Sequence, residues 1–155
     1  MLTEEEKVTN CAIYEHIHAV HGLLVEVMLQ LSNRILTHDK SKLLPPEVST
    51  FVEFTSKLKG STYGSPEYKQ FLAEMKPALD HHYANNRHHP EHFTGGIDDM
   101  TLIDLIEMLV DWLAATRRHD DGDIYKPIKL NTERFNMSPQ LVKILTNTVK
   151  DLEVA

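Results

Sequence analysis

The sequence predicts an all-α fold: a compact single-domain bundle of five to seven helices over residues 1–155. Three observations carry this. Apolar residues recur at three- and four-residue spacings, alternating strand-like runs are absent, and helix-start signals stand just ahead of the periodic stretches. A chain of 155 residues has the length of one ordinary domain and can bury a core without a disulfide or metal staple.

The elements follow in order. Thr3 and Glu6 form a capping box, in which hydroxyl and carboxylate each satisfy an orphan amide of a starting helix. The helix is predicted to run to about Leu31, with Ile13, Ile17, Val20, Leu24, Val27, Met28 and Leu31 on one face. A short second helix is expected over about 33–42. Pro45-Pro46 stops it and opens a third, to about Lys59. Ser65-Pro66 caps a fourth, which Pro77 should kink or split before His81-His82. Residues 88–96 read as a loop. The run Leu102 to Leu113 is apolar around most of its circumference, so a helix over about 100–118 is central and buried. Asp120 to Asp123 is a polar turn, and Ser138-Pro139 caps a last helix that ends near Leu152.

Composition narrows the function classes. The net charge of −7 argues against a long nucleic acid or a basic membrane surface as partner. Nothing approaches a membrane span, the N-terminus has no apolar signal region, and the single cysteine, Cys11, fits a reducing compartment; the expected location is the cytoplasm. Histidine stands out, with ten in the chain and five of them between His81 and His92.

Several of these residues suit a metal. His38-Asp39 is a weak signal alone. His16 lies inside the apolar stripe of the first helix, between Ile13 and Val20, whereas His18 faces the polar side. It reads either as a core histidine or as an inward-facing ligand. Asp111 sits in the most apolar helix, where a carboxylate must be paired, protonated or metal-bound. On the competing reading, Asp104, Glu107, Asp111 and Arg118 form an ordinary solvated stripe. His81-His82 and the segment from Asn85 to His92 suit a helix end and loop folding over a site, or a solvated His-rich loop.

In chain order, His16, His38-Asp39, His81-His82 and Asp111 resemble the HD-domain phosphohydrolase superfamily, with its H…HD…D ligands on a helical bundle. His38 to Lys42 resembles the HDxxK element of that superfamily. His81-His82 resembles the HH pair of its two-metal branch, and Asp111 to Ala115 its later helix. Across most of its length the chain also looks like a small, uncharacterised phage and bacterial family with the words HIxxV, HDxSK, HHYANNRHHPEH and EMxxDWxAA.

The resemblance implies a divalent ion (Mn, Fe, Co, Zn or Mg) on His16, His38, Asp39 and Asp111, with His81 and His82 as further candidate ligands. It implies hydrolysis of a phosphate ester, a nucleotide being the favoured substrate, through a metal-activated water. Lys42 is then a phosphate contact, and His82 and His88 are proton carriers or second-ion ligands. Arg87, Asn86, His89 and Arg118 are the expected substrate-binding groups. Two alternatives stay open: a two-iron oxygenase on the same bundle, and a non-catalytic metal-binding or interaction protein. Partners are expected to be small molecules, with a homo-oligomer left open.

Overall fold

A computed structural model of the chain describes residues 2–62, 65–117 and 122–154. Among these residues the regular elements are all helical. They are α1 (Glu4–Thr37), α2 (Glu47–Gly60), α3 (Pro66–Glu74), α4 (Lys76–Asn85), α5 (Leu102–Thr116), α6 (Tyr125–Arg134) and α7 (Pro139–Val154). Short 3₁₀ turns lie at Lys40–Leu43, Pro90–His92 and Gly96–Asp99. The all-α class holds, with seven α-helices among the described residues. No helix among them is long and apolar enough to cross a membrane. Two compact units are described, 1–37 and 38–155.

The first unit is α1. Its capping box forms as expected: Thr3 N–H donates to Glu6 Oε2 at 2.7 Å and Glu6 N–H to Thr3 Oγ1 at 3.1 Å. The helix runs through Leu31 to Thr37, so no separate helix covers 33–42. The chain leaves the helical path at Asp39, whose φ of 56° is left-handed. The apolar stripe was expected to be an inward face, yet α1 buries none of its residues. Ile13, Leu24 and Met28 are exposed, and so is His16. Periodicity marks a face that is able to pack.

The second unit holds the bundle. α2 begins with Glu47 just after Pro45-Pro46 and packs on α3 and α4. Ser65 caps α3, its Oγ accepting from Tyr68 N–H at 3.1 Å. Pro77 splits the fourth predicted helix as expected: α3 ends at Glu74, α4 begins at Lys76, and the buried Met75 lies between them. A capping box between Thr101 and Asp104 starts α5. Met108, Leu109 and Leu113 of α5 meet Ile124 and Ile128 at α6, and Met137, Leu145 and Val149 at α7, to form the core. α6 was not anticipated, because Pro127 and a mostly polar sequence hide its buried residues, Ile128 and Asn131. α7 extends to Val154, slightly beyond the predicted end. The predicted loop at 88–96 contains the turn Pro90–His92. Residues 120 and 121 of the predicted turn at 120–123 lie outside the described residues.

Candidate metal centre

Three segments of the second unit bring the site together. The break after α1 supplies His38 and Asp39. The end of α4 and the chain beyond it supply His82, His88 and His89. One face of α5 supplies Glu107 and Asp111. Asp39 is the hub. Its left-handed backbone is a conformation that aspartate tolerates better than most residues, and it turns the carboxylate toward the histidines.

Asp39 uses its two oxygens differently. Oδ2 accepts from Lys42 Nζ at 2.6 Å. Oδ1 lies 3.3 Å from His82 Nε2 and 3.5 Å from His88 Nε2, yet it is buried with no hydrogen-bond partner. Both ring nitrogens of His88 are likewise buried without one, although Nδ1 lies 3.2 Å from Glu107 Oε1. His82 and His88 are each 1% exposed. Leaving such groups unsatisfied costs about 1–3 kcal/mol each. A cation among the lone pairs removes that cost, since carboxylate oxygen and imidazole nitrogen are metal donors. Ligand atoms of Asp39, His82, His88 and His89 all lie within 4.8 Å of one another. His82 Nε2 and His89 Nε2 are 2.9 Å apart.

Two further groups share these residues: His38 with Asp39 and Asp111, and His38 with His88 and Glu107. His38 Nε2 lies 3.6 Å from Asp39 Oδ2 and 3.7 Å from Asp111 Oδ1, while its Nδ1 is 3.0 Å from Glu107 Oε1. The His38–Asp39–Asp111 side is partly open, with side chains 34%, 23% and 25% exposed.

The electrostatics suit a cation at Asp39, Asp111 and His89, whereas His38 is held in its protonated form. The nearby Asp111 carboxylate, then the hydrogen bond with Glu107, raise the His38 pKa to about 10, against the opposing effect of burial. Burial, then the neighbouring His88 and His82, lowers that of His89 to about 3, leaving a neutral imidazole with a free lone pair. Burial works against ionisation of Asp39, but the neighbouring His82 ring and the charge and hydrogen bond of Lys42 outweigh it and hold the carboxyl well below its usual range. Asp111 is lowered in the same way, with the nearby His38 ring outweighing burial. Neutral imidazole and ionised carboxylate are the forms that bind metal.

The structure thus brings together His38, Asp39, His82, His88 and Asp111 of the residues singled out in the sequence. His89, expected at the substrate, turns its ring into the metal-capable group instead. His82 and His88 are buried against Asp39, a ligand's position rather than that of a proton carrier facing solvent. His81 departs from expectation: its Nδ1 lies 2.7 Å from Glu47 Oε1, and it joins no metal-capable group among the described residues. Successive helical residues point about 100° apart, so only one ring of the pair can face Asp39. His16 lies on α1, in the first unit, and the metal-capable groups among the described residues are built from the second unit.

The expected substrate contacts have other partners. Arg87 Nε and Nη2 donate to Asp104 Oδ1 and Oδ2 at 3.1 and 3.0 Å, and its guanidinium stacks on Phe93. Asn86 is buried, its amide donating to Ser41 Oγ and the His82 carbonyl, both at 2.8 Å. Arg118 lies outside the described residues. The solvated-stripe reading of α5 fails at Asp104 and Glu107, both of which are buried.

Two buried carboxylates in contact with these histidines were not singled out from the sequence. Glu107 was visible only as part of that stripe, although its four-residue spacing from Asp111 on an apolar helix was a usable signal. Glu47 follows two prolines at a helix start, where acidic residues are common, and nothing in the sequence distinguishes it.

Neither the curated proteins nor the solved structures contain a match to this chain. A family model does match, over residues 5–151, nearly the whole length. The chain belongs to that family, the family of unknown function DUF5662.

Proposed function

We propose that this chain is a metal-dependent phosphohydrolase that cleaves a phosphate ester, with a nucleotide as the favoured substrate. The observation that carries the reading is Asp39 Oδ1, a buried ionised oxygen with no hydrogen-bond partner, faced by Nε2 of His82 and His88. The HD-like order of the residues supports it, with His38-Asp39 and Lys42 at one segment and Asp111 on a later helix.

Asp39, His82, His88 and His89 would hold the ion, with His38 and Asp111 beside it. Three imidazoles and a carboxylate favour Mn, Fe, Co or Zn over the oxygen-seeking Mg. A bound ion supplies an acidified water and offsets phosphoryl charge. The chain's own residues do the rest. The partly open His38–Asp39–Asp111 side admits water and substrate. Lys42, held by Asp39, carries a positive charge next to the carboxylates that would otherwise repel an anionic ester.

A second reading is a metal-binding protein without turnover. The observation favouring it is that Lys42 and Arg87, the cations expected to meet phosphate, are both ion-paired to carboxylates. One experiment separates the two: metal analysis of the purified chain, then a phosphate-release screen over nucleotides with added Mn²⁺, Co²⁺ or Mg²⁺. Metal-dependent phosphate release abolished by Asp39→Asn supports the hydrolase. Stoichiometric metal with no release from any nucleotide supports the second reading.

A further inference from the structure

Glu47 is fully buried, and no arginine or lysine is among its hydrogen-bond partners. What surrounds it is a hydroxyl and two imidazole nitrogens. Oε1 lies 2.7 Å from His81 Nδ1; Oε2 lies 2.9 Å from His82 Nδ1 and accepts from Ser41 Oγ at 3.0 Å. The proton positions follow by elimination. Asn86 Nδ2 has two hydrogens, and Ser41 Oγ and the His82 carbonyl, each at 2.8 Å, take both. The opposite amide orientation would set an oxygen against that carbonyl. Ser41 therefore accepts from Asn86 and gives its own proton to Glu47. No hydrogen remains for His82 Nδ1 to accept from Asn86 at 3.0 Å or from Ser41 at 3.2 Å. With Glu47 as the carboxylate acceptor, Nδ1 is the donor. Nε2 is then bare, and it is the atom 3.3 Å from Asp39 Oδ1 and 2.9 Å from His89 Nε2.

We propose that Glu47 is a positioning residue of the metal centre: it holds the His82 ring in the Nδ1–H tautomer, so that the Nε2 lone pair is presented to the ion. The inference rests on the metal-centre reading above and adds to it a second layer, with Glu47 at its head and Ser41 and Asn86 bracing it. A carboxylate behind a ligating imidazole fixes the ring's orientation and raises its basicity, and losing such a partner weakens metal binding about 10–100-fold.

The test uses the full chain with ¹⁵N-labelled histidine. NMR of the metal-free protein at mildly alkaline pH reads the tautomer of His82, assigned by its loss in His82→Asn. The expected result is a protonated Nδ1 and a bare Nε2. Co²⁺ titration by visible absorption then compares wild type with Glu47→Gln, which keeps the volume and loses the charge. The expected result is an affinity lower by about 10–100-fold with an altered ligand-field spectrum, in a protein that keeps its helical circular dichroism. A merely structural glutamate would lower Tm and leave the Co²⁺ affinity and spectrum of the folded variant unchanged; that outcome overturns the proposal. So does a wild-type His82 protonated at Nε2, a measurement that stands even if Glu47→Gln does not fold. A wild type that takes up no Co²⁺ yet shows the Nδ1–H tautomer overturns the metal reading instead and leaves Glu47's hold on the ring in place.

Discussion

Lys42 Nζ lies 2.6 Å from Asp39 Oδ2, while Oδ1 of the same carboxylate faces His82 and His88. One carboxylate therefore joins a lysine to the metal-capable cluster. Lys42 is also 5.2 Å from the centre of the Phe51 ring, which helps to hold its stem. Because it touches Asp39 through the oxygen that faces away from His82 and His88, Lys42→Met should leave metal content unchanged and the fold intact. Phosphate release should fall by about 10²-fold or more, the scale of a lost transition-state charge contact. Lys42→Arg should recover part of it. Metal content, Tm and steady-state rates measured together decide the matter, and wild-type rates in Lys42→Met return the residue to a structural role.

Asp39 invites a comparison of two substitutions. At its φ of 56°, asparagine is tolerated and alanine is strained. Asp39→Asn and Asp39→Ala should both lose the metal. In the absence of metal, Asp39→Asn should be the more stable by about 1 kcal/mol, the scale of the left-handed penalty. Chemical denaturation of both apo-proteins checks this, and equal stability would show that the backbone relaxes out of the left-handed region.

Arg87 and Asp104 give a stability prediction. Asp104 is fully buried, and bonding to Arg87 and Thr101 outweighs burial to depress its pKa. A depressed carboxylate stabilises the fold above its unfolded value, about 3.9, and loses that contribution as pH falls through the lower folded value. Arg87→Leu should cost about 1.5–3 kcal/mol near neutral pH, the range for a charged hydrogen bond. The gap from wild type should close as the solution is acidified below about pH 4, where the unfolded carboxyl protonates. Urea melts across pH read this directly; a gap that does not depend on pH would assign the loss to packing on Phe93 instead.

Removing the metal should soften the chain without unfolding it. The core of α5, α6 and α7 is apolar and contains none of the candidate ligands. Chelation should leave helical circular dichroism in place and lower Tm. Added metal should restore about 2.7 kcal/mol at one hundred times its dissociation constant. Random-coil spectra after chelation would show that the ion is part of the folding nucleus.

The sequence already displayed much of this site, and its gaps have physical causes. Asp111 was visible because a carboxylate in an apolar helix demands an explanation, and His38-Asp39, weak alone, because it falls into the HD-like order with it. His81 and His82 could not be ranked, since adjacent residues differ only in which way the helix turns them, and packing of α2 on α4 decides that. His88 and His89 stood out by crowding, but their roles depend on the path of the chain after α4. The inward reading of His16 came from a stripe that α1 does not bury. Glu47 gave no signal because a glutamate at a helix start is ordinary until its neighbours are known. Helix existence was clear wherever an apolar stripe was strong; α6, with a weak one, was missed.

The most direct measurement is the anomalous scattering of a crystal of the full chain grown with Mn²⁺ or Zn²⁺ and recorded at that metal's absorption edge. The expected result is a peak about 2.0–2.3 Å from Asp39 Oδ1 and from Nε2 of His82 and His88, typical bond lengths for such ligands. A chain that shows no peak among these residues at saturating metal, or holds its ion on other side chains, contradicts the metal centre and with it the proposed chemistry.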